Sequence, residues 1–287
     1  MKIIVMGSNG LMGQEFFNIL PKESSYFATR SDCDITDMSS VRKYLENLNL
    51  EPGFTIINCA ANRDAEGLEV GDYDLARRIT VDGPHNLAVM ANEMGGRLIH
   101  FTSDYVFDGT KNTPYTESDK TNGLSVYGKL KIMSEQDLMK TANEIVIIRP
   151  AWIFSPYGRD FVKTIYNLGQ TRSQLSVVYD QVGSPTYWDD LAHYVYQIIP
   201  QIKPGTREIY HLTNEGVCSW YDMACAVKRH FNLGCDILPV RSCDYPQKAP
   251  RPSYSVLDKS KIKRDFNLDI RHWSDAMAQC CNKIQGK

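Results

Sequence analysis

Short apolar runs and amphipathic stretches alternate through the first half of the chain. Ile3–Met6 is an apolar run closed by glycine, which reads as a buried strand. Residues 11–20 follow with Phe16, Phe17 and Leu20 at the inward spacing of a helix. The same pairing recurs: a strand over 25–29 with a helix over 39–48 capped by Asp37 or Ser39, then a strand over 54–59 with a long helix over 75–94. A strand over 97–102, a helix over 124–140 and a strand over 144–149 complete the series. Strand and helix in strict alternation with short links predict parallel strands covered on both faces, an α/β Rossmann-type doubly wound sheet.

Beyond Pro150 the rhythm loosens. Helical spacing appears over 161–168, 189–199, 219–231 and Trp273–Ile284, and short strands over 176–179, 208–212 and 236–239. Prolines and glycines thicken between them and mark loops and turns. The expected division is a sheet domain over 1–150, with a segment near 185–215 returning to it, and a smaller lobe made mainly of 151–287.

Composition narrows the classes of function. The 287 residues carry 32 Lys+Arg against 34 Asp+Glu, a formal charge of −2, which argues against a nucleic-acid-binding surface. A hydrophobic fraction of 43% suits a globular core, and no apolar run is long enough to span a membrane. The N-terminal apolar run is too short for a signal peptide. Eight cysteines without C-x-x-C or zinc-ligand spacing, and six scattered histidines, give no metal site. Free thiols in a cytoplasmic protein are the expectation. The basic run Lys259, Lys261, Lys263 and Arg264 reads as a solvated helix face.

Two places carry chemistry. Gly7-Ser8-Asn9-Gly10-Leu11-Met12-Gly13 joins the first strand to the first helix. Gly7 allows the tight turn, Gly10 lets backbone amides approach a pyrophosphate, and Gly13 lets the helix pack close. The helix N-terminus adds a partial positive charge. The second strand runs into Arg30, which suits a 2′-phosphate and hence NADPH, with NADH as the other choice; Asp34-Ile35 follow closely enough to flank the adenine. Asp34 is equally a turn residue by composition. Ala60 and Ala61, at the end of the third strand, leave room for a flat cofactor.

The second place is Ser103, at the end of the fourth strand, with Tyr127 and Lys131 four apart on one helix face. Ketone reduction needs hydride on carbon and a proton on oxygen. A tyrosine with a pKa of about 10 donates that proton better when a lysine charge favours its phenolate.

With these residues the chain resembles the extended short-chain dehydrogenase/reductases, and among them the dTDP-4-dehydrorhamnose reductases. The likeness runs over nearly the whole chain: Gly7–Gly13, Asn58–Ala61, Ser103–Phe107, Tyr127-Gly128 with Lys131 and Glu135, Asp180–Thr186, Ser219-Trp220 and Arg251-Pro252. It implies NADPH-dependent reduction of the C4 ketone of a nucleotide-activated 6-deoxy-4-keto sugar, with dTDP-4-dehydro-L-rhamnose first among candidates. Tyr127 would donate the proton, Lys131 would hold the nicotinamide ribose, and Ser103 would polarise the carbonyl. Asp104 and Trp152 would contact the sugar, and Gly10, Leu11, Met12, Arg30, Asp34, Ile35, Ala60, Ala61 and Asn62 would surround the cofactor. The resemblance also allows a homodimer, and some relatives use magnesium at a subunit contact, for which no ligand set here matches.

The chain departs from that pattern in three stretches. Asn62-Arg63-Asp64-Ala65-Glu66 replaces a usual aromatic or His, Thr and Val-Asp; Thr80 stands for a mid-helix Asn; and Gly158-Arg159-Asp160-Phe161 stands for G-x-N-F. The charges of Arg63 and Asp64 near the pocket mouth keep open a reductase or epimerase acting on another nucleotide sugar. A NADP-binding regulatory subunit of a partner enzyme is the reading outside catalysis.

Overall fold

The computed structural model describes residues 1–62, 64–158 and 160–286. Its centre is a six-stranded sheet with every pair parallel, ordered Arg207–His211, Ile145–Arg149, Arg97–Phe101, Thr55–Asn58, Ile3–Met6, Ser25–Ala28. Ile4 sits opposite both Tyr26 and Ile56, so the first strand is central and its neighbours are reached by crossovers in opposite directions. All four residues of Ile3–Met6 and all five of Ile145–Arg149 are buried, which is why these strands read as continuous apolar runs.

The alternation of side chains sorts them into two cores. Ile3, Val5, Ile57, Ile99, Val146 and Ile148 face the helices Leu11–Ile19, Trp188–Ile198 and Ser260–Phe266. Ile4, Met6, Ile56, Leu98, Ile145 and Ile147 face the helices Met38–Glu46, Gly83–Met94 and Val126–Thr141. A third core lies outside the sheet, where Phe161–Gly169, Trp220–Phe231 and Trp273–Ile284 pack with the parallel strand pair Gln174–Val178 and Asp236–Val240. Ser219 caps Trp220–Phe231 in a reciprocal arrangement with Asp222.

Three expectations change. Phe17 is not in the core; it is 49% exposed, packed edge-on against Phe27 with the Lys22 ammonium 3.3 Å from its ring centre. The long helix after the third strand starts at Tyr73 and widens into a π-turn over Arg78–Asp82 before Gly83–Met94. Pro84 accounts for this: it has no N–H for the Thr80 carbonyl, and its ring would strike that carbonyl in a regular helix. The Gly83 N–H donates instead to Arg78 O, five residues back. The basic run, finally, is not a freely solvated face. Lys259 is buried and, with Lys263, pairs with Glu215, while Lys261 pairs with Glu208.

Candidate active site

The crevice at the carboxyl ends of the strands opens beside the first strand, where the chain order reverses. Gly7 has φ +75°, and a Cβ there would lie 2.7 Å from Ala60 N; one on Gly13 would lie 2.4 Å from Gly7 O. The turn and helix therefore sit as close as glycine permits. Gly10 is the N-cap of Leu11–Ile19 and brings no capping side chain, which leaves the first-turn N–H groups for an anion. A groove of about 230 Å³ follows, lined by Gly7, Gly10, Arg30, Asp34, Ile35, Ala60 and Ala61 as expected, and also by Asn9 and Ile79. Ile79 belongs to the π-turn, which no apolar periodicity announces. These residues fit a dinucleotide: glycines where backbone must come close, small residues along the floor, a cation at one end.

Some residues expected at the cofactor stand elsewhere. Met12 is a core side chain, so only its backbone is available to the groove. Leu11 packs toward Gly158, where a Cβ would come within 2.6 Å of its side chain. Asn62 does not line the groove; its side-chain Oδ1 accepts from Asp64 N at 3.0 Å. Asp64 in turn caps the short helix Ala65–Leu68 through Gly67 N. Arg63 and Arg159 lie outside the described residues. Arg30 is largely exposed and pairs with Asp34 at 3.5 Å. Asp34 is also a turn residue, its Oδ1 accepting from Thr36 N and Oγ1; those hydrogen bonds first, and Arg30 after them, hold its carboxyl below the usual range.

The candidate catalytic residues stand at the end of the fourth strand, beside the third strand whose end lines this groove. Ser103 leaves the fourth strand and caps the turn Asp104–Val106, accepting from Tyr105 N at 3.2 Å and donating to Asp104 Oδ1 at 2.9 Å. Asp104 is buried, and its Oδ2 meets no hydrogen-bond donor within 3.5 Å among the described residues, the Ser255 hydroxyl standing nearby. Burial pushes this carboxyl up to about 6, with the hydroxyls of Ser255 and Ser103 pulling the other way. The turn abuts the helix Val126–Thr141 at Gly128, where a Cβ would sit 2.3 Å from Tyr105 O. Gly128 thus places Tyr127 beside Tyr105, ring centres 5.8 Å apart and edge to face.

Lys131 lies one turn further, fully enclosed, its Nζ donating to Phe101 O at 3.0 Å and standing 5.7 Å from the centre of the Tyr127 ring. Burial brings its ammonium down to about 8, while Glu135 works in the opposite sense. Glu135 accepts two hydrogen bonds from Arg149, at 2.8 and 2.7 Å, and one from Thr102 Oγ1 at 2.6 Å. Arg149 reaches on to His211 Nε2 at 3.3 Å. A second buried chain props the floor of the groove. Asn58 accepts from Ala60 N with Oδ1, so its amide N–H faces His100 Nδ1 at 3.2 Å. That makes Nδ1 the acceptor and Nε2–H the donor to Ser134 Oγ at 3.3 Å. Burial, with Lys131 nearby, keeps His100 neutral. Neither histidine's role shows in the sequence, because their partners are 34 to 62 residues away.

A cavity of about 470 Å³ lies in the C-terminal lobe between Phe161–Gly169 and Gln174–Val178, with Gln181, Trp220, Tyr245 and Arg251 on its wall. Trp152, expected at the sugar, stands one layer behind. It is 8% exposed, stacked on Trp220 at 3.8 Å, with Gly183 against its other side. Its φ of +48° is strained for so bulky a residue and costs about 1–3 kcal/mol. Among the described residues no cluster of three His, Cys, Asp or Glu side chains could hold a metal ion, and no helix is long and apolar enough to cross a membrane.

A six-stranded parallel sheet with a glycine cradle at its switch point and a Ser, Tyr and Lys edge beside it defines a Rossmann-type protein of the extended short-chain dehydrogenase/reductase kind. Residues 1–285 match the RmlD substrate binding domain family, and the chain belongs to that family. It is 34% identical to the spore coat polysaccharide biosynthesis protein SpsK of Bacillus subtilis, over 97% of this chain and 96% of that one. It is 33% identical to the dTDP-4-dehydrorhamnose reductase of Mycolicibacterium smegmatis (99% and 86%), and 34% identical to the dTDP-4-keto-6-deoxy-D-glucose reductase of Streptomyces niveus (96% and 95%). The crystal structure of Bacillus anthracis dTDP-4-dehydrorhamnose reductase in complex with NADP superposes with a TM-score of 0.92 at 31% identity, covering 99% of this chain and all of that one.

Proposed function

We propose that the protein is an NADPH-dependent oxidoreductase that reduces the C4 ketone of a nucleotide-activated 6-deoxy-4-keto sugar, with dTDP-4-dehydro-L-rhamnose as substrate and dTDP-L-rhamnose as product. The observation that carries this reading is the enclosed Lys131 ammonium beside Tyr127, on the helix next to the fourth strand, with a groove that fits a dinucleotide at the end of the neighbouring third strand. When bound, NADPH supplies the hydride that C4 receives. The chain's own residues do the rest. First-turn N–H groups hold the pyrophosphate, and Arg30, released from Asp34, meets the 2′-phosphate. Lys131 holds the ribose and its charge favours the phenolate left when Tyr127 gives its proton to the C4 oxygen. Ser103 turns its hydroxyl from Asp104 to the same oxygen, and the unpartnered Asp104 Oδ2 accepts a sugar hydroxyl. Tyr127 regains its proton from solvent. The nucleotide occupies the 470 Å³ cavity beside Arg251. This reading places the protein in the cytoplasm, where its eight cysteines stay as thiols.

A second reading keeps the chemistry and changes the sugar. It is favoured by the departure over residues 62–66 and by the different sugar in the name of the Streptomyces niveus relative. The test is NADPH oxidation by the purified protein given dTDP-4-dehydro-L-rhamnose, with Tyr127→Phe run in parallel. Rapid oxidation to dTDP-L-rhamnose is expected, and a loss of about 10²–10⁴-fold in kcat with retained NADPH binding for the variant. No turnover of this sugar by protein that binds NADPH would move the assignment to another nucleotide sugar. Normal turnover in Tyr127→Phe would remove its role as donor.

A further inference from the structure

The segment after the third strand and the loop before Arg251 are far apart in the chain yet joined by one side chain. Glu66 Oε2 accepts from Lys248 N at 2.7 Å and Ala249 N at 3.3 Å, and its Oε1 accepts from Arg251 at 2.8 Å. The far end of the same loop is fixed to the lobe: Asp180 accepts from Ser242 N and Oγ, and Gln181 donates to Ser242 Oγ and Gln247. Residues 242–251 therefore form a strap anchored at both ends, and its members Tyr245 and Arg251 are walls of the 470 Å³ cavity.

Arg251 is held incompletely. One amino group is used by Glu66, while its Nε is buried with no acceptor among the described residues. A buried guanidinium donor left unmatched is unfavourable and is satisfied when an anionic oxygen arrives. Tyr105, edge-on to Tyr127, feels the charges of both Arg251 and Glu66, which brings the strap's end toward the Tyr127 side of the site.

We propose that Glu66 is a positioning residue for the substrate: by tying Arg251 and the 248–249 backbone to the cofactor-binding half, it presents the guanidinium to the diphosphate of the nucleotide sugar. The inference rests on the nucleotide-sugar reading above, which assigns the cavity to the nucleotide.

The test is calorimetric titration of the NADPH-loaded protein with dTDP, alongside steady-state kinetics on the reducible sugar. Glu66→Ala should weaken dTDP and raise KM about tenfold, with a much smaller change in kcat, because three hydrogen bonds that place the strap are lost. Glu66→Gln, which keeps an oxygen acceptor for the strap, should recover most of that loss. The NADPH affinity of each variant reports that it has folded. Unchanged or tighter dTDP binding in Glu66→Ala would overturn the strap's role, since Glu66 would then merely neutralise Arg251. Wild-type protein that binds NADPH but no dTDP would remove the nucleotide-sugar reading itself, an outcome separate from any effect of Glu66.

Discussion

Asp104 is the residue at which local chemistry and stability conflict most directly. Its carboxyl is 2% exposed, and burial lifts it from an ordinary 3.8 to about 6. In the window between those values the folded protein keeps a proton that the unfolded chain has released, so stability falls as pH rises and the penalty is complete above about 6. The full penalty is on the order of 3 kcal/mol. Asp104→Asn should therefore be more stable than the parent near pH 7 and lose that advantage near pH 4, as measured by urea unfolding at both values. A difference that stays constant with pH would show that Asp104 does not titrate in this way. If Asp104 meets a sugar hydroxyl as proposed, the fold carries this cost at a carboxylate with a functional use.

Legibility was highest for residues whose role is backbone geometry. Gly7 and Gly13 could be read from spacing because only glycine fits those contacts. Tyr127 and Lys131 could be paired because a helix repeats every 3.6 residues. Met12 was different: its side chain completes the core, which leaves its backbone for the cofactor contact that its place in the motif implied. Trp152 likewise turned out to back the wall through Trp220.

At the scale of elements, the Glu135–Arg149 pair joins the parts that carry the site. Glu135 belongs to the helix that bears Tyr127 and Lys131, Thr102 to the strand that leads to Ser103, and Arg149 to the strand that leads to Trp152. Both charges are nearly inaccessible, 2% and 5% exposed, so each depends on the other. Glu135→Gln should destabilise the fold by about 3–5 kcal/mol because Arg149 is left buried and uncompensated. A midpoint in urea within experimental error of the parent would contradict this. None of this was visible in advance, although Glu135 stood out in the family likeness, because its partners come from other elements. The two-residue strands Ile153–Phe154 and Thr186–Tyr187 escaped for another reason: they are too short to show a period. The π-turn escaped because one extra residue in a turn barely disturbs the apolar spacing around it.

At the scale of the whole molecule, ligand and fold are coupled. The groove takes residues from the first helix N-terminus, three strand ends and the π-turn, so a dinucleotide bound there ties them together. NADPH at about 100 times its Kd should stabilise by about 2.7 kcal/mol, a rise of several degrees in Tm. Arg30→Ala should shrink this rise for NADPH and leave the smaller NADH effect unchanged, as read by thermal denaturation with each nucleotide. Equal losses with both would mean that Arg30 does not meet the 2′-phosphate.

The edge strand Arg207–His211 and the helix Ser260–Phe266 have a consequence for how the protein comes into being. Ile262, Phe266, Leu268 and Ile270 pack in the same core as Ile3, Val5 and Phe16. During synthesis the first half emerges with one face of its sheet covered only by Leu11–Ile19 and one edge unpaired. It must wait for residues more than two hundred positions later before that core can close. Contacts of such long range are entropically expensive to form first, so folding to the finished state is a late event, with an apolar, aggregation-prone nascent chain until then.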